Sequence, residues 1–386
     1  MIPEAPRGSL ADLSRQDLAA PAPGARLPYR LVPDLERLEA GPLLGRPERA
    51  LDLGPVAEVL RGRCILVTGA GGSVGVPLVE RLLSYRPARL VLLDSHEDSL
   101  ARLQRRLREA TVPSTLLLGD VRNPTKVAAL YGDYHPEVVL HLAAYKHVHF
   151  GEAQPDEPLA VNVLGTQALV DAAVEHGVEA FVFTSSDKAV NPSGVYGATK
   201  RLAELVVREA ARRARGRFVV VRFVNVLGTR GSVIETFLEQ LAAGQPLTIT
   251  DAAMTRYWIS MPEAVDLVLA AVSRGAAGAT LLLDAGEAVS VLDMAERLRE
   301  LVGAPAGPAD VVYLGSRPGE RLAEELASRS ERLVPGPTPG LLRVERLDDD
   351  AALGQVRAHV SDLAAALAAD DPGLGGRLMA LARKLQ

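Results

Sequence analysis

From Arg63 onward the chain repeats short apolar runs separated by longer amphipathic stretches. The runs are Cys64–Val67, Leu90–Leu93, Thr115–Leu118, Val138–Leu142, Ala180–Phe183 and Phe218–Phe223. Each is too short for a helix, whereas the intervening segments carry apolar residues three and four positions apart, as in Val79, Leu82 and Leu83. Repeated strand–helix units of this kind predict an α/β fold with a doubly wound parallel sheet. After about residue 226 the alternation loosens. Strands are expected at Leu247–Thr250, Thr280–Leu283 and Val311–Leu314, with helices near 232–243, 261–273 and 290–302. This pattern predicts a smaller C-terminal lobe closing over the sheet edge, with a ligand cleft between the two. Residues 354–386 read as helical, interrupted around Asp371, Pro372 and Gly373. Residues 1 to about 45 are rich in Pro, Ala, Gly, Leu and Arg without periodicity, and read as an arm whose expected use is homo-oligomer contact.

Composition narrows the class. A chain of 386 residues with 48% hydrophobic content can bury a large core. The formal charge of -5, with no long Lys/Arg block, argues against nucleic acid or anionic membrane as the main partner. Cys64 is the only cysteine, so neither a disulfide framework nor a cysteine-rich zinc site is available, and no metal site is expected. No run approaches the roughly 18 apolar residues of a membrane span, and no signal-peptide pattern is present. The expectation is a soluble protein of the cytoplasm.

Two segments carry candidate chemistry. In the first, Cys64-Ile-Leu-Val-Thr-Gly-Ala-Gly-Gly-Ser-Val-Gly75 reads as strand, glycine turn and helix start. Gly69, Gly72 and Gly75 permit a sharp turn, close approach to a pyrophosphate and tight packing of the following helix, whose N-terminus supplies N–H donors. Alone, such a turn is weak evidence, since a tight strand–helix connection without ligand has the same form. Asp94, closing the second strand, adds an acceptor for an adenosine ribose and favours NAD, with NADP the alternative. Asp120 and Val121 follow the third strand and either frame an adenine or cap the helix near Pro124. His141-Leu-Ala-Ala144 ends the fourth strand with small residues against which a cofactor can lie, and Asn162 is expected to brace neighbouring backbone.

In the second segment, Phe183-Thr-Ser-Ser-Asp-Lys-Ala-Val-Asn-Pro-Ser-Gly-Val-Tyr-Gly-Ala-Thr-Lys200 places Ser186, Asp187, Lys188, Tyr196 and Lys200 at a strand end and a helix start. Tyr-x-x-x-Lys sets a phenol and an ammonium one helical turn apart, so Lys200 is expected to lower the Tyr196 pKa. Asp187 and Lys188 add an acid and a base that simple alcohol oxidation does not require.

Together these motifs resemble the extended short-chain dehydrogenase/reductase superfamily, and within it the inverting UDP-N-acetylglucosamine 4,6-dehydratases and the CapD-like polysaccharide biosynthesis proteins. The matching stretches run in order from Leu43-Leu-Gly-Arg46 through Ala143-Ala-Tyr-Lys-His-Val148, Asn162-Val-Leu-Gly-Thr166, Asp187-Lys-Ala-Val-Asn-Pro192, Gly197-Ala-Thr-Lys-Arg-Leu-Ala-Glu204, Asn225-Val-Leu-Gly228, Arg230-Gly-Ser-Val233 and Met254-Thr-Arg-Tyr257 to Arg317-Pro-Gly-Glu320. The resemblance implies a Rossmann-like domain over about 61–228, a nucleotide-sugar lobe over 229–345 and a helical segment over 346–386, preceded by an arm and lead-in helix over 1–60. It implies a nucleotide-sugar substrate, UDP-N-acetylglucosamine foremost, and an NAD or NADP cofactor held tightly and regenerated in each turnover. Tyr196, assisted by Lys200 and Ser186, would take the C4 hydroxyl proton, Lys188 the C5 proton, and Asp187 would protonate the departing C6 hydroxyl. On the cofactor side stand Thr68, Gly69, Gly71, Gly72, Ser73, Val74, Gly75, Asp94, Ser95, Asp120, Val121, Leu142, Ala143, Ala144, Lys146, Asn162, Ser185, Tyr196 and Lys200. Lys146, His147, Asn225, Val226, Arg230, Arg256, Arg317 and Glu320 stand on the substrate side. Surface ion pairing is the alternative for the arginines, and a structural role the alternative for His147. A 4-epimerase, a 5,6-dehydratase and a non-catalytic cofactor-binding scaffold are the competing functions. Membrane-bound relatives place methionine where Tyr196 stands, and this chain looks like the soluble branch; His149 and Val224 replace the usual proline and glycine.

Overall fold

The computed structural model describes residues 39–304, 311–347 and 350–386. The six apolar runs form β1 (Cys64–Thr68), β2 (Arg89–Asp94), β3 (Ser114–Leu118), β4 (Val138–His141), β5 (Ala180–Ser186) and β6 (Arg217–Phe223). They lie parallel in the order β3-β2-β1-β4-β5-β6, with Ile65 paired to Leu90 on one side and to Val138 on the other. Helices cover both faces, which is why β1 is apolar without alternation. Leu66, Val139, Phe181 and Phe183 belong to one core cluster, and Ile65, Val67, Leu140 and Val182 to the other. The strand order reverses between β1 and β4, and a doubly wound sheet opens its ligand crevice at the carboxyl ends there. The fold is thus the Rossmann-like α/β architecture that the repeated units predict.

The second half holds β7 (Asn225–Val226), β8 (Leu247–Ile249), β9 (Thr255–Arg256), β10 (Trp258–Ile259), β11 (Thr280–Leu283), β12 (Val289–Ser290), β13 (Val311–Tyr313), β14 (Glu331–Pro335) and β15 (Leu341–Arg346). Its strands are not confined to a separate lobe. β11 adds parallel to β6, and β15 and β14 follow antiparallel, giving a nine-stranded sheet. The remainder forms a smaller unit around Phe237, Trp258, Met294 and Leu298, which also buries Leu43 and Leu44 of the lead-in helix Ala40–Leu44. Arg46 fastens that lead-in: its guanidinium donates to Glu263 at 2.6 Å, to the Trp258 carbonyl at 3.2 Å and to the Ala285 carbonyl at 3.0 Å. The expected arm lies outside the described residues up to position 38.

The C-terminal helices Val356–Ala368 and Leu374–Lys384 are part of the main core, where Val360, Leu374 and Leu378 pack with Leu202 and Val206 of the helix Val195–Arg213. Among the described residues no helix is long and apolar enough to cross a membrane.

Candidate active site

A cavity of about 1160 Å³ runs from the glycine turn, past the carboxyl ends of β4 and β5, to the smaller unit. It exceeds the usual span of a single small-molecule pocket and has room for a dinucleotide and a second ligand.

The glycine turn builds one end. Gly69 has a positive φ of 69°, and a Cβ there would stand 2.8 Å from the Ala143 amide nitrogen. A Cβ on Gly75 would meet the Gly69 carbonyl oxygen at 2.2 Å, so only glycine lets the helix Gly75–Leu83 seat on the turn. Asp94 accepts from the Gly71 and His96 amides, both at 2.9 Å, and its carboxylate thereby braces the turn while lining the cavity. Ser185 Oγ and Asp187 Oδ2 are buried without a hydrogen-bond partner, and both residues line the same cavity. A cradle that any Cβ would fill, set at a helix N-terminus, with the orphaned Ser185 Oγ further along the same cavity, fits a nicotinamide dinucleotide. Arg230 and Lys146 reach across this end: the Arg230 amide donates to Ser73 Oγ at 3.1 Å, and Lys146 Nζ donates to the Arg230 carbonyl at 2.6 Å.

All the expected cofactor-side residues line the cavity except Thr68 and Asn162. Thr68 is fully buried against His141 Nδ1 at 2.7 Å. Asn162 is likewise buried, donating to the Tyr145 carbonyl and to Thr199 Oγ1, both at 3.0 Å, and accepting from the Tyr145 amide at 2.9 Å. Asn162 thus braces the Tyr145 backbone and does not line the cavity. His141 is a second brace, held between Thr68 and Thr166 and pushed by burial down to about 3, so it stays neutral. Asp120 does not cap the next helix. Asn123 does, accepting from the Lys126 amide at 3.0 Å, while Asp120 pairs with Arg122.

Ser186, Asp187, Lys188, Tyr196 and Lys200 gather at the carboxyl end of β5. Ser186 Oγ donates to Asp187 Oδ1 at 2.8 Å. A 3-10 turn, Asp187–Ala189, leads Lys188 Nζ to 3.2 Å from Asp187 Oδ1. The helix Val195–Arg213 then presents Tyr196, its first amide capped by Glu152 Oε1 at 2.7 Å. Burial pushes the Asp187 carboxyl up to about 7 against the pull of Lys188, with Glu324 adding to the rise. Burial also raises the Tyr196 phenol, and the groups that counter it are Lys188 and Ser186. This differs from the expectation that Lys200 would do so. Lys200 Nζ instead donates to the Thr184 carbonyl at 2.8 Å and sits 4.7 Å over the Phe183 ring, and burial brings it down to about 7.

Glu324 is the residue that sequence reasoning missed. Its Oε1 lies 2.6 Å from Lys188 Nζ and 3.2 Å from Arg256 Nε, and its Oε2 accepts from Asn225 Nδ2 at 3.1 Å. Its side chain is 5% exposed, and the neighbouring Lys188 ammonium holds its carboxyl down near 2 against the opposing effect of burial. Lys188 is pushed well above the ordinary lysine range by its two carboxylate neighbours, which outweigh burial. Lys146, His147, Asn225, Val226, Arg230, Arg256, Arg317 and Glu320 all line the cavity, but they play different parts. Arg256 also donates to the carbonyls of Arg321 at 2.8 Å and Leu322 at 3.1 Å, so it organises the segment bearing Glu324. Arg317 is exposed at the rim, and Glu320 accepts from Thr250 Oγ1 at 3.4 Å.

Residues 65–345 match the family described as Polysaccharide biosynthesis protein. The chain belongs to this family. It is 39% identical over 306 residues to the probable polysaccharide biosynthesis protein EpsC of Bacillus subtilis, covering 78% of this chain and 51% of that protein. The chain thus spans about half the length of the first curated relatives it matches. A UDP-N-acetylglucosamine 4,6-dehydratase (inverting) of Campylobacter jejuni is 32% identical over 278 residues, 71% of this chain and 80% of that one. Among solved structures, Pen from Bacillus thuringiensis superposes with a TM-score of 0.68 at 30% identity, covering 74% of this chain and 88% of that one.

Proposed function

We propose that this family member is an NAD(P)-dependent nucleotide-sugar 4,6-dehydratase acting on UDP-N-acetylglucosamine. The observation that carries the reading is the meeting of a phenol, a carboxyl that titrates near neutrality and an ammonium, Tyr196, Asp187 and Lys188, in one corner of a cavity that begins at a dinucleotide-type glycine turn. Oxidation alone needs a base; elimination of water needs an acid and a second base as well. Tyr196, reacting as the phenolate that Lys188 and Ser186 favour against burial once its own proton has passed to solvent, takes the C4 hydroxyl proton and holds it until Asp187 has given up its own. Lys188 removes the C5 proton that the C4 ketone acidifies, and Asp187 gives its proton to the departing C6 hydroxyl. Bound nicotinamide supplies the hydride acceptor at C4 and the hydride donor at C6. Returning the C5 proton to the opposite face would invert that centre.

Lys188 rests as an ammonium, held so by its carboxylate neighbours, and must shed a proton before it can take the one at C5. That proton leaves toward the solvent side of Lys188, whose side chain is 30% exposed, and an amine then stands 3.2 Å from the Asp187 carboxylic acid. The C4 hydroxyl proton collected by Tyr196 can pass through Ser186 Oγ to Asp187, replacing the one lost as water.

Incubation with UDP-N-acetylglucosamine in deuterated water tests the reading. The expected product lacks one water, carries label at C5, and accumulates without net reduced nicotinamide. Unchanged mass across a panel of UDP- and dTDP-sugars would overturn it, and a product of unchanged mass epimerised at C4 without label would make the enzyme an epimerase.

A further inference from the structure

The Asp187 carboxyl is the acid of the proposed elimination, yet it sits beside an ammonium, the neighbour that ordinarily strips a carboxyl of its proton. Its surroundings are Lys188 at 3.2 Å, Ser186 at 2.8 Å, Tyr196 from the following helix, and Glu324 from the segment that Arg256 and Asn225 hold in place. Two features of this cluster stand out. Lys188 lies closer to Glu324, at 2.6 Å, than to Asp187. And Asp187 Oδ2 is buried without a donor, while the Glu324 carboxylate and Asp187 share one ammonium, at 2.6 and 3.2 Å from Lys188 Nζ, which sets the two acids side by side. Two carboxylates cannot bond unless one carries a proton. Glu324, facing Lys188, Arg256 and Asn225, is the one kept ionised, and the proton belongs on Asp187.

We propose that Glu324 is a positioning residue for the acid: it replaces Asp187 as counter-ion of Lys188 and accepts a hydrogen bond from the Asp187 carboxyl, which therefore keeps its proton. The role rests on the dehydratase reading only for its purpose, because the proton on Asp187 is a property of the protein itself. Glu324 comes from beyond the substrate-side strands, whereas Asp187 and Lys188 follow β5, so the acid is complete only where the two parts of the chain meet.

The test is infrared titration of the full chain, following the carboxylic-acid carbonyl band that disappears in Asp187→Asn. Wild type is expected to titrate at about 7. Glu324→Gln, isosteric but uncharged, is expected to move the midpoint down by about one pH unit or more, a tenfold or greater loss of the acid form at alkaline pH. Lys188→Met, which removes the opposing charge, is expected to move it up. The opposite signs separate an electrostatic role from a general loosening of the site; if the glutamine variant does not fold, Glu324→Asp, whose shorter side chain withdraws the carboxylate from Asp187, is expected to lower the midpoint in the same direction, and an unchanged or raised one would overturn the proposal. An unchanged or raised midpoint in Glu324→Gln, or a lowered one in Lys188→Met, would overturn the proposal. These outcomes are independent of turnover. If wild type dehydrates no sugar while Glu324→Gln shifts as stated, the functional reading fails and the assignment of Glu324 stands; the converse pair of results does the reverse.

Discussion

Lys188 and Asp187 are neighbours in sequence to which the proposed elimination gives opposite tasks. Lys188→Ala is expected to retain cofactor and C4 oxidation but to lose dehydration by about a hundredfold or more, the usual contribution of a positioned base; stopped-flow absorbance of reduced nicotinamide alongside product mass separates the steps. Asp187→Asn has a second consequence. Its folded pKa of about 7 lies above the ordinary value of 3.8, so the folded state holds a proton that the unfolded chain releases, and stability declines as pH rises from about 4 through 7. The asparagine variant is therefore expected to melt at least about 2 °C higher than wild type at pH 8, with a smaller gain at pH 5, by calorimetry. At this scale the sequence was informative wherever chemistry was local. The spacing of Tyr196 and Lys200 and the adjacency of Asp187 and Lys188 are legible because one strand–helix junction carries them all. Glu324 was not, since it lies in irregular chain far from its partners; its only signal was the need of Lys188 and Arg256 for a buried counter-ion.

The elements that aim these groups depend on close packing between a turn and a helix. A Cβ on Gly197 would stand 2.1 Å from the Lys188 carbonyl oxygen, so the helix Val195–Arg213 presses directly on the 3-10 turn that holds Asp187 and Lys188. Gly197→Ala is expected to displace that turn, reducing dehydration at least tenfold and destabilising the protein by about 1–3 kcal/mol, read by product assay and urea unfolding. The six parallel strands were readable as apolar runs because both their faces are covered. The strands β7, β9, β10 and β12 have two residues each, too few for any periodicity to register. β14 and β15 escaped for another reason: Arg332, Arg343 and Glu345 interrupt their apolar pattern at the sheet edge, and Glu331 is a buried charge.

Across the molecule that buried charge joins distant parts. Glu331 of β14 lies 2.9 Å from Arg222 of β6 and 3.0 Å from Arg201, and Glu204 lies 2.8 Å from Arg222. Arg201 also donates to the Leu385 carbonyl at 2.9 Å, so one cluster ties the sheet extension, the central helix and the C-terminal end together. Arg222 and Arg201 hold both carboxyls below the ordinary 4.5 despite burial. Their contribution to stability is complete above about pH 4.5 and is lost as pH falls below it. Glu331→Gln is expected to lower the unfolding free energy by about 3–5 kcal/mol at pH 7, because it strands buried guanidinium charge, and to flatten the acid limb of the stability curve in denaturant titrations.

The bridge from Ser73 through the Arg230 backbone to Lys146 ties the glycine turn to the far wall of the cavity at its dinucleotide end. If the bridge closes on a bound nucleotide, protein purified from cells is expected to keep its cofactor through dialysis and to surrender it on denaturation. Carrying its own oxidant from one catalytic cycle to the next, such an enzyme would run at a pace indifferent to the cell's ratio of oxidised to reduced nicotinamide.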